Sequence, residues 1–310
     1  MIEPHRIADA QSLLARHFGP TRIARAESLS PPGRDVFLKI ETELPTGSFK
    51  VRGAIYALSK NVAARAVTEV VCASTGNHGA AVAYAAQLLG VRATIFLPAD
   101  PNPVKAARIL ALGARLVKAG ADLSAAIDAA QDYARRAPAF FLHDASDPDV
   151  PAGTATIGAE IVEQLPTVDV IYVPMGDTAL IRGVASAAKQ HRASIRIVGV
   201  VAANADAYLR SWKTGKVVET ATCDTIADGL AVRRPLAPNV AAIRELVDEA
   251  VAVSEEDMIG AIRLLRDREQ LIAEPAGAAA TAAFQRRDDA ARTSVLLVTG
   301  CNISQDLESR

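Results

Sequence analysis

The chain has 310 residues, half of them hydrophobic and 22% charged, with a formal net charge of -1. That length buries a large core in one long domain or two ordinary ones, and the composition excludes disorder. The near-neutral balance provides no global field for nucleic acid or an anionic membrane, and the longest mostly apolar run, GAAVAYAAQLLGV, falls well short of the roughly 18 residues of a membrane span.

The N-terminal stretch MIEPHRIADAQSLLARHFG carries acids and histidines where a signal peptide would carry an apolar core. Cys72, Cys223 and Cys301 are odd in number and scattered, which argues against a disulfide framework and for a reducing compartment. A cytoplasmic location is expected. No paired Cys or His spacing suggests zinc, and His5, His17, His78, His143 and His191 are dispersed.

From the N-terminal end, DVFLKIE (35–41) is the first strong strand, and TEVVCAS (68–74) the second. The helical run GAAVAYAAQLLG leads to the strand RATIFLP (92–98), and PVKAARILALG follows as another helix. Gly90 and Gly113 each close such a run where a left-handed cap is needed. Further strands are VDVIYVP (168–174), IRIVGVV (195–201) and TSVLLVT (293–299). Between the last two lies the helical SEEDMIGAIRLLRDR, with Ser254 as N-cap and acids in its first turn. Several strands are almost continuously apolar, as parallel strands covered on both faces are. The alternation predicts an open, doubly wound α/β sheet, with no internal repeat and no low-complexity linker. Ligands in such sheets bind beyond the carboxyl ends of the strands.

Four motifs fall at those ends. Pro45-Thr46-Gly47-Ser48-Phe49-Lys50-Val51-Arg52-Gly53 follows the first strand, in a chain where only eight of the 34 basic residues are lysine. An amine near apolar surface and other cations has a lowered pKa and attacks carbonyls; the alternative is a surface lysine in a helix's first turn, and both readings stand. Ala73-Ser74-Thr75-Gly76-Asn77-His78-Gly79 leaves the second strand for a helix, and is either an anion cradle or an N-capped turn. Val173-Pro174-Met175-Gly176-Asp177-Thr178-Ala179-Leu180 repeats that strand–turn–helix form without matching a Walker loop or a dinucleotide fingerprint. Thr299-Gly300-Cys301-Asn302 ends the last strand.

Taken in order, TGSFKVRGA, ASTGNHGAAVAYAAQLLG, ATIFLP, IADGLAVRRP, AEPAGAA and VTGCN resemble the fold type II family of pyridoxal-phosphate enzymes, in its serine/threonine dehydratase and serine racemase branch. The resemblance covers nearly the whole length. It implies two doubly wound open α/β domains of the tryptophan synthase β-subunit-like type. A large cofactor-binding domain would take 1–52 and 147–310, and a small mobile domain 53–146 would carry the substrate-carboxylate loop.

The resemblance makes Lys50 the Schiff-base lysine and the base for the α-proton. It places Phe49 against the cofactor ring, Asn77 on the ring's 3-oxygen, and Ser74, Thr75, Gly76, Asn77 and His78 around the substrate carboxylate. Thr75 matches the opposite-face serine of the racemases. Thr299 matches the hydroxyl partner of the pyridine nitrogen; a neutral partner there favours β-elimination over a long-lived carbanion. Glu274, in a Glu-Pro-x-Gly-Ala motif, lies near the same ring end or is simply an N-cap or first-turn acid.

Two departures stand out. The branch's phosphate loop is usually four consecutive glycines, but here Gly176 is followed by Asp177, Thr178, Ala179 and Leu180. A carboxylate beside a phosphate is costly, so Asp177 should turn outward or cap the next helix while Thr178 and the backbone amides bind. The branch's metal-binding Glu and Asp are replaced by Val201 and Ala207, leaving Asp206, so no metal is expected there.

The chain ends soon after Asn302, so the effector domain of biosynthetic threonine dehydratases is not expected. The implied function is dehydration and deamination of a small 3-hydroxy amino acid by a homodimer that binds neither nucleic acid nor membrane. Racemisation or β-replacement is the alternative within the fold, and a non-catalytic amino-acid-binding homologue the alternative outside enzymes.

Overall fold

The computed structural model describes residues 1–74, 76–101, 103–121, 123–304 and 307. In chain order its helices are α1 (Pro4–Leu14), α2 (Lys50–Ala64), α3 (Asn77–Leu89), α4 (Pro103–Ala111), α5 (Leu123–Arg136), α6 (Val150–Gln164), α7 (Ala179–His191), α8 (Ala207–Thr214), α9 (Ala237–Leu246), α10 (Glu255–Glu269) and α11 (Pro275–Gln285). The strands are β1 (Ile23–Arg25), β2 (Asp35–Ile40), β3 (Glu69–Ala73), β4 (Arg92–Leu97), β5 (Arg115–Lys118), β6 (Phe140–Phe141), β7 (Val170–Pro174), β8 (Arg196–Ala202), β9 (Glu249–Val253) and β10 (Thr293–Val298).

These elements form two compact units, one of Met1–Phe49 with Thr154–Arg310 and one of Lys50–Gly153. The first holds a six-stranded sheet in the order β1-β2-β10-β7-β8-β9, parallel except where β1 runs against β2. The second holds a parallel four-stranded sheet in the order β5-β4-β3-β6. The expected open α/β class is what forms, twice. All six strands read from the sequence lie inside these sheets, and β1, β9, β5 and β6, which that reading missed, are their four edges.

Both faces of the six-stranded sheet are covered. On one, Leu38, Tyr172, Val198, Val200 and Leu296 pack with Ala278, Ala279 and Ala282 of α11 and with Met258 and Leu265 of α10. On the other, Ile171, Val173, Ile197, Val295 and Leu297 pack with Ile157 and Ile161 of α6 and with Ile181 and Val184 of α7. Burying a large aliphatic side chain contributes roughly 1.5–3 kcal/mol, so both clusters contribute strongly to the unit's stability.

The helix signals hold where they are local. Ser254 caps α10 in a reciprocal box, its hydroxyl accepting from the Asp257 amide while the Asp257 carboxylate accepts from the Ser254 amide. Gly90 and Gly113 adopt φ of 66° and 81°, the left-handed turn that each was expected to supply. The apolar stripe of β2 hides one exception: Lys39 is fully buried, with Nζ 2.6 Å from Glu160 Oε2 and 2.8 Å from the Thr21 carbonyl. Among the described residues no helix is long and apolar enough to cross a membrane.

Candidate active site

In the first unit, the carboxyl ends of β10 and β7 bring three of the motifs together. After β10, Thr299 is buried, and its carbonyl accepts from the Phe49 amide at 3.0 Å. Ser48 bridges Gly300, the Cys301 amide donates to the Gly47 carbonyl at 2.9 Å, and Asn302 Nδ2 donates to the Thr46 carbonyl at 3.0 Å. The TGSF segment is thereby clamped to TGCN. Half-buried Phe49 packs on the cluster beneath α6 and α7.

Glu274 is the N-cap residue of α11, and its amide donates to the Gly300 carbonyl at 2.9 Å. Its side chain makes no capping bond, so the N-cap alternative holds for its position but not its carboxylate. Next in the same helix, a Cβ on Gly277 would lie 2.4 Å from the Gly300 oxygen, a distance that admits glycine alone.

The turn after β7 is equally tight. A Cβ on Gly176 would lie 2.1 Å from the carbonyl oxygen of Gly229, in the IADGLAV segment. Asp177 does cap the next helix: its Oδ1 accepts from the Ala179 amide at 2.8 Å. Thr178 sits at φ 74°, the left-handed region that a β-branched residue seldom enters. Its buried Oγ1 has no hydrogen-bond partner among the described residues, and neither has Ser48 Oγ. Ala179 and Leu180, both buried, open α7. From the second turn of that helix, the Arg182 guanidinium is pushed toward its neutral form by burial and held charged by Asp177.

The second unit carries the remaining motif. Lys50 is the first residue of α2, as either reading required, but its side chain is only 12% exposed, so it is no surface lysine. Its Nζ lies 2.6 Å from Asp144 Oδ2, in the turn after β6.

Beyond β3, the Ser74 hydroxyl accepts from the Gly76 amide at 3.2 Å, and α3 begins at Asn77. Thr75, expected in both catalytic and carboxylate-binding roles, lies outside the described residues. His78 is buried, with Nε2 3.2 Å from the Leu142 carbonyl and Nδ1 3.7 Å from Asp144 Oδ2. Burial pushes its pKa down; Asp144 pulls it up, and Lys50 adds to the lowering. A Cβ on Gly79 would crowd the Ser74 carbonyl at 2.9 Å, which fixes how closely the loop folds over the helix end.

A protein-family model described as "Pyridoxal-phosphate dependent enzyme" matches residues 14–300. The L-threonine ammonia-lyase of Thermotoga maritima is 35% identical over the whole of this chain and 78% of its own length. The catabolic L-threonine dehydratase of Escherichia coli is 34% identical, with 90% of this chain and 85% of that protein covered. Among solved structures, the T.th. threonine deaminase superposes with a TM-score of 0.91 at 31% identity, covering 98% of this chain and 99% of that one. The maize serine racemase gives 0.92 at 28% identity, covering 97% and 94%. The chain belongs to the pyridoxal-phosphate dependent enzymes, fold type II.

The coenzyme of this family fits the residues present. Thr178 Oγ1 and Ser48 Oγ are buried hydroxyls without a partner among the described residues, and leaving one unsatisfied costs about 1–3 kcal/mol, so a site that retains them is suited to a polar ligand. A helix N-terminus with a neighbouring guanidinium suits a phosphate. Against this, Asp177 occupies one of the amides that a phosphate would use.

No group of three or more His, Cys, Asp or Glu side chains is placed to hold a metal among the described residues. Val201 and Ala207 are fully buried, and Asp206 pairs with Arg210. Asp144 escaped the sequence reading, while Ser48 and Gly229 stood in its motifs without a role assigned. Asp144 follows a two-residue edge strand that gave no strand signal, so HDASD was not recognised as a strand-end turn.

Proposed function

We propose that this chain is a pyridoxal-phosphate-dependent ammonia-lyase that dehydrates and deaminates a small 3-hydroxy amino acid of the serine or threonine type. The products are a 2-oxo acid and ammonia. The observation that carries this reading is the likeness to L-threonine ammonia-lyase over the whole of this chain, combined with a lysine at position 50, its side chain only 12% exposed, directly after the segment that pairs with the end of β10.

The bound coenzyme supplies an electron sink for the bond that loses its proton. Lys50 would anchor it, and as a free amine would take the α-proton and return a proton as the β-hydroxyl leaves as water. Phe49 would pack on the ring, and Asn77 would hydrogen-bond its 3-oxygen. The segment Ser74, Thr75, Gly76, Asn77 and His78 receives the substrate carboxylate, drawn by the amides at the start of α3. Gly176, Asp177, Thr178, Ala179 and Leu180 would hold the phosphate, with Thr178 donating its hydroxyl. Thr299 would offer a neutral hydroxyl to the ring nitrogen, and Glu274 would flank it. The aminoacrylate that departs hydrolyses in water to the 2-oxo acid and ammonia.

A second reading is racemisation, favoured by the likeness to maize serine racemase. We also propose a cytoplasmic homodimer, in keeping with three cysteines that form no disulfide.

The test is an ammonia-release screen over serine, threonine and larger 3-hydroxy amino acids of both configurations, with chiral analysis of unreacted substrate. Ammonia with 2-oxo acid supports elimination, and inverted substrate without ammonia supports racemisation. The Lys50→Ala protein should lose both the coenzyme's visible absorbance and turnover; survival of both would remove the basis of this reading.

A further inference from the structure

The turn after β7 has a backbone that its own sequence disfavours. Thr178 sits at φ 74° and ψ -6°, the angles of the third residue of a type II turn, where glycine is the natural choice. A type I turn puts the same residue at φ about -90° and ψ about 0°, on the side that threonine prefers. The two forms differ by reversal of one peptide, here the peptide joining Asp177 to Thr178.

That peptide is gripped from α9. Asn239, in the first turn of α9, is 3% exposed, and its Nδ2 donates to the Asp177 carbonyl at 3.3 Å. A carbonyl oxygen only accepts, so this contact also settles which way the side-chain amide is turned. Nδ2 donates to Tyr208 Oη as well, at 3.3 Å, and Oη accepts the Leu236 amide at 3.2 Å. Tyr208 is buried in α8, so the side chain of Asn239 is fixed before it reaches the turn.

In a trans peptide the carbonyl and the amide hydrogen point opposite ways, and no cis peptide occurs among the described residues. A hold on the Asp177 carbonyl therefore aims the Thr178 amide away from α9. The Ala179 amide is already engaged by Asp177 Oδ1, so the direction of the Thr178 amide weighs heavily for an anion at this helix end. Glycine would keep this peptide setting at little cost; threonine needs it imposed from outside.

We propose that Asn239 is a positioning residue for the coenzyme phosphate, holding the Asp177–Thr178 peptide so that the Thr178 amide donates to the anion. The proposal rests on the phosphate-holding role given above to residues 176–180.

Pyridoxal phosphate titrated into the full chain tests this in a double-mutant cycle of Asn239→Ala with Thr178→Gly. Asn239→Ala alone should weaken binding by about tenfold or more, the loss of a hydrogen bond to a charged group. In the Thr178→Gly background the same change should cost no more than about threefold, because glycine keeps the left-handed turn unaided. A residue that merely packs α9 would give one factor in both backgrounds; equal factors, or an Asn239→Ala protein of unchanged affinity, overturn the proposal. Asn239→Leu runs the same cycle with the side-chain volume retained, should the alanine variant fail to fold. In the wild type, the magnetic resonance of the isotope-labelled Thr178 amide hydrogen should move downfield when the coenzyme binds, and an unmoved resonance overturns the proposal without any variant. The proposed reaction fails separately, if no 3-hydroxy amino acid releases ammonia; the binding cycle still reads out the role of Asn239.

Discussion

Asp177 Oδ1 accepts the amide hydrogen of Ala179 at 2.8 Å, so the helix end that would receive a phosphate is already capped by a carboxylate of its own chain. A dianion entering there has to displace the carboxylate or share the turn with it. Asp177→Gly removes the competing charge and the cap together. The coenzyme dissociation constant should fall roughly tenfold, while the coenzyme-free protein loses on the order of 1 kcal/mol with its cap. Equilibrium titration of coenzyme absorbance and denaturant unfolding read the two effects separately; unchanged affinity would mean that the carboxylate already points clear of the anion.

Thr178 carries a different burden in the same turn. Its left-handed backbone suits glycine, and its buried hydroxyl goes unpartnered. Thr178→Gly should stabilise the coenzyme-free protein by about 1 kcal/mol through relief of strain and of an unsatisfied group. The same change should weaken coenzyme binding by about fivefold or more through loss of a donor. Opposite signs in thermal denaturation and coenzyme titration are the signature to seek.

Gly176→Ala would place a methyl 2.1 Å from the Gly229 carbonyl oxygen, and both partners are backbone. Relief requires moving the turn or the Asp228–Leu230 segment. A destabilisation of about 2 kcal/mol or more is expected, of the size that overpacking produces, accompanied by loss of coenzyme uptake. Wild-type unfolding midpoint and absorbance in this variant would show that the contact yields.

His78 links stability to pH. Burial lowers its pKa from 6.5, so the unfolded chain takes up a proton at a pH where the folded ring stays neutral. Its contribution is therefore full above about 6.5 and is lost as the pH falls from there toward the folded value. Asp144 acts against this shift, whereas Lys50 and His143 act with it. His78→Gln should flatten the loss of stability below pH 6.5, measured as the wild-type-minus-variant difference in unfolding free energy from pH 8 to 5. A difference that stays constant with pH would contradict the neutral buried ring.

The reading of strands from sequence divided along a physical line. Val170–Pro174 and Thr293–Val298 are sheet interior, apolar on both faces, and their sequences state this without help. Arg115–Lys118 and Phe140–Phe141 lie at edges, have one neighbour each and are partly exposed, so little in their composition marks them. The site divided similarly. Lys50 and the residues around Gly176 stand in contiguous motifs and could be picked out directly. Asp144 is brought to Lys50 from 94 positions away by the fold, and a separation of that kind leaves no local trace. The left-handed backbone of Thr178 was hidden for the opposite reason: threonine is the wrong residue to announce it.

The two glycine contacts, Gly176 with Gly229 and Gly277 with Gly300, are main chain against main chain. They fix the turn after β7 and the start of α11 with no side chain involved. Anyone retuning the substrate range of this lyase would find those points immovable, and would have to work through the groups hung between them, as a fitter changes the jaws of a vice and leaves its bed alone.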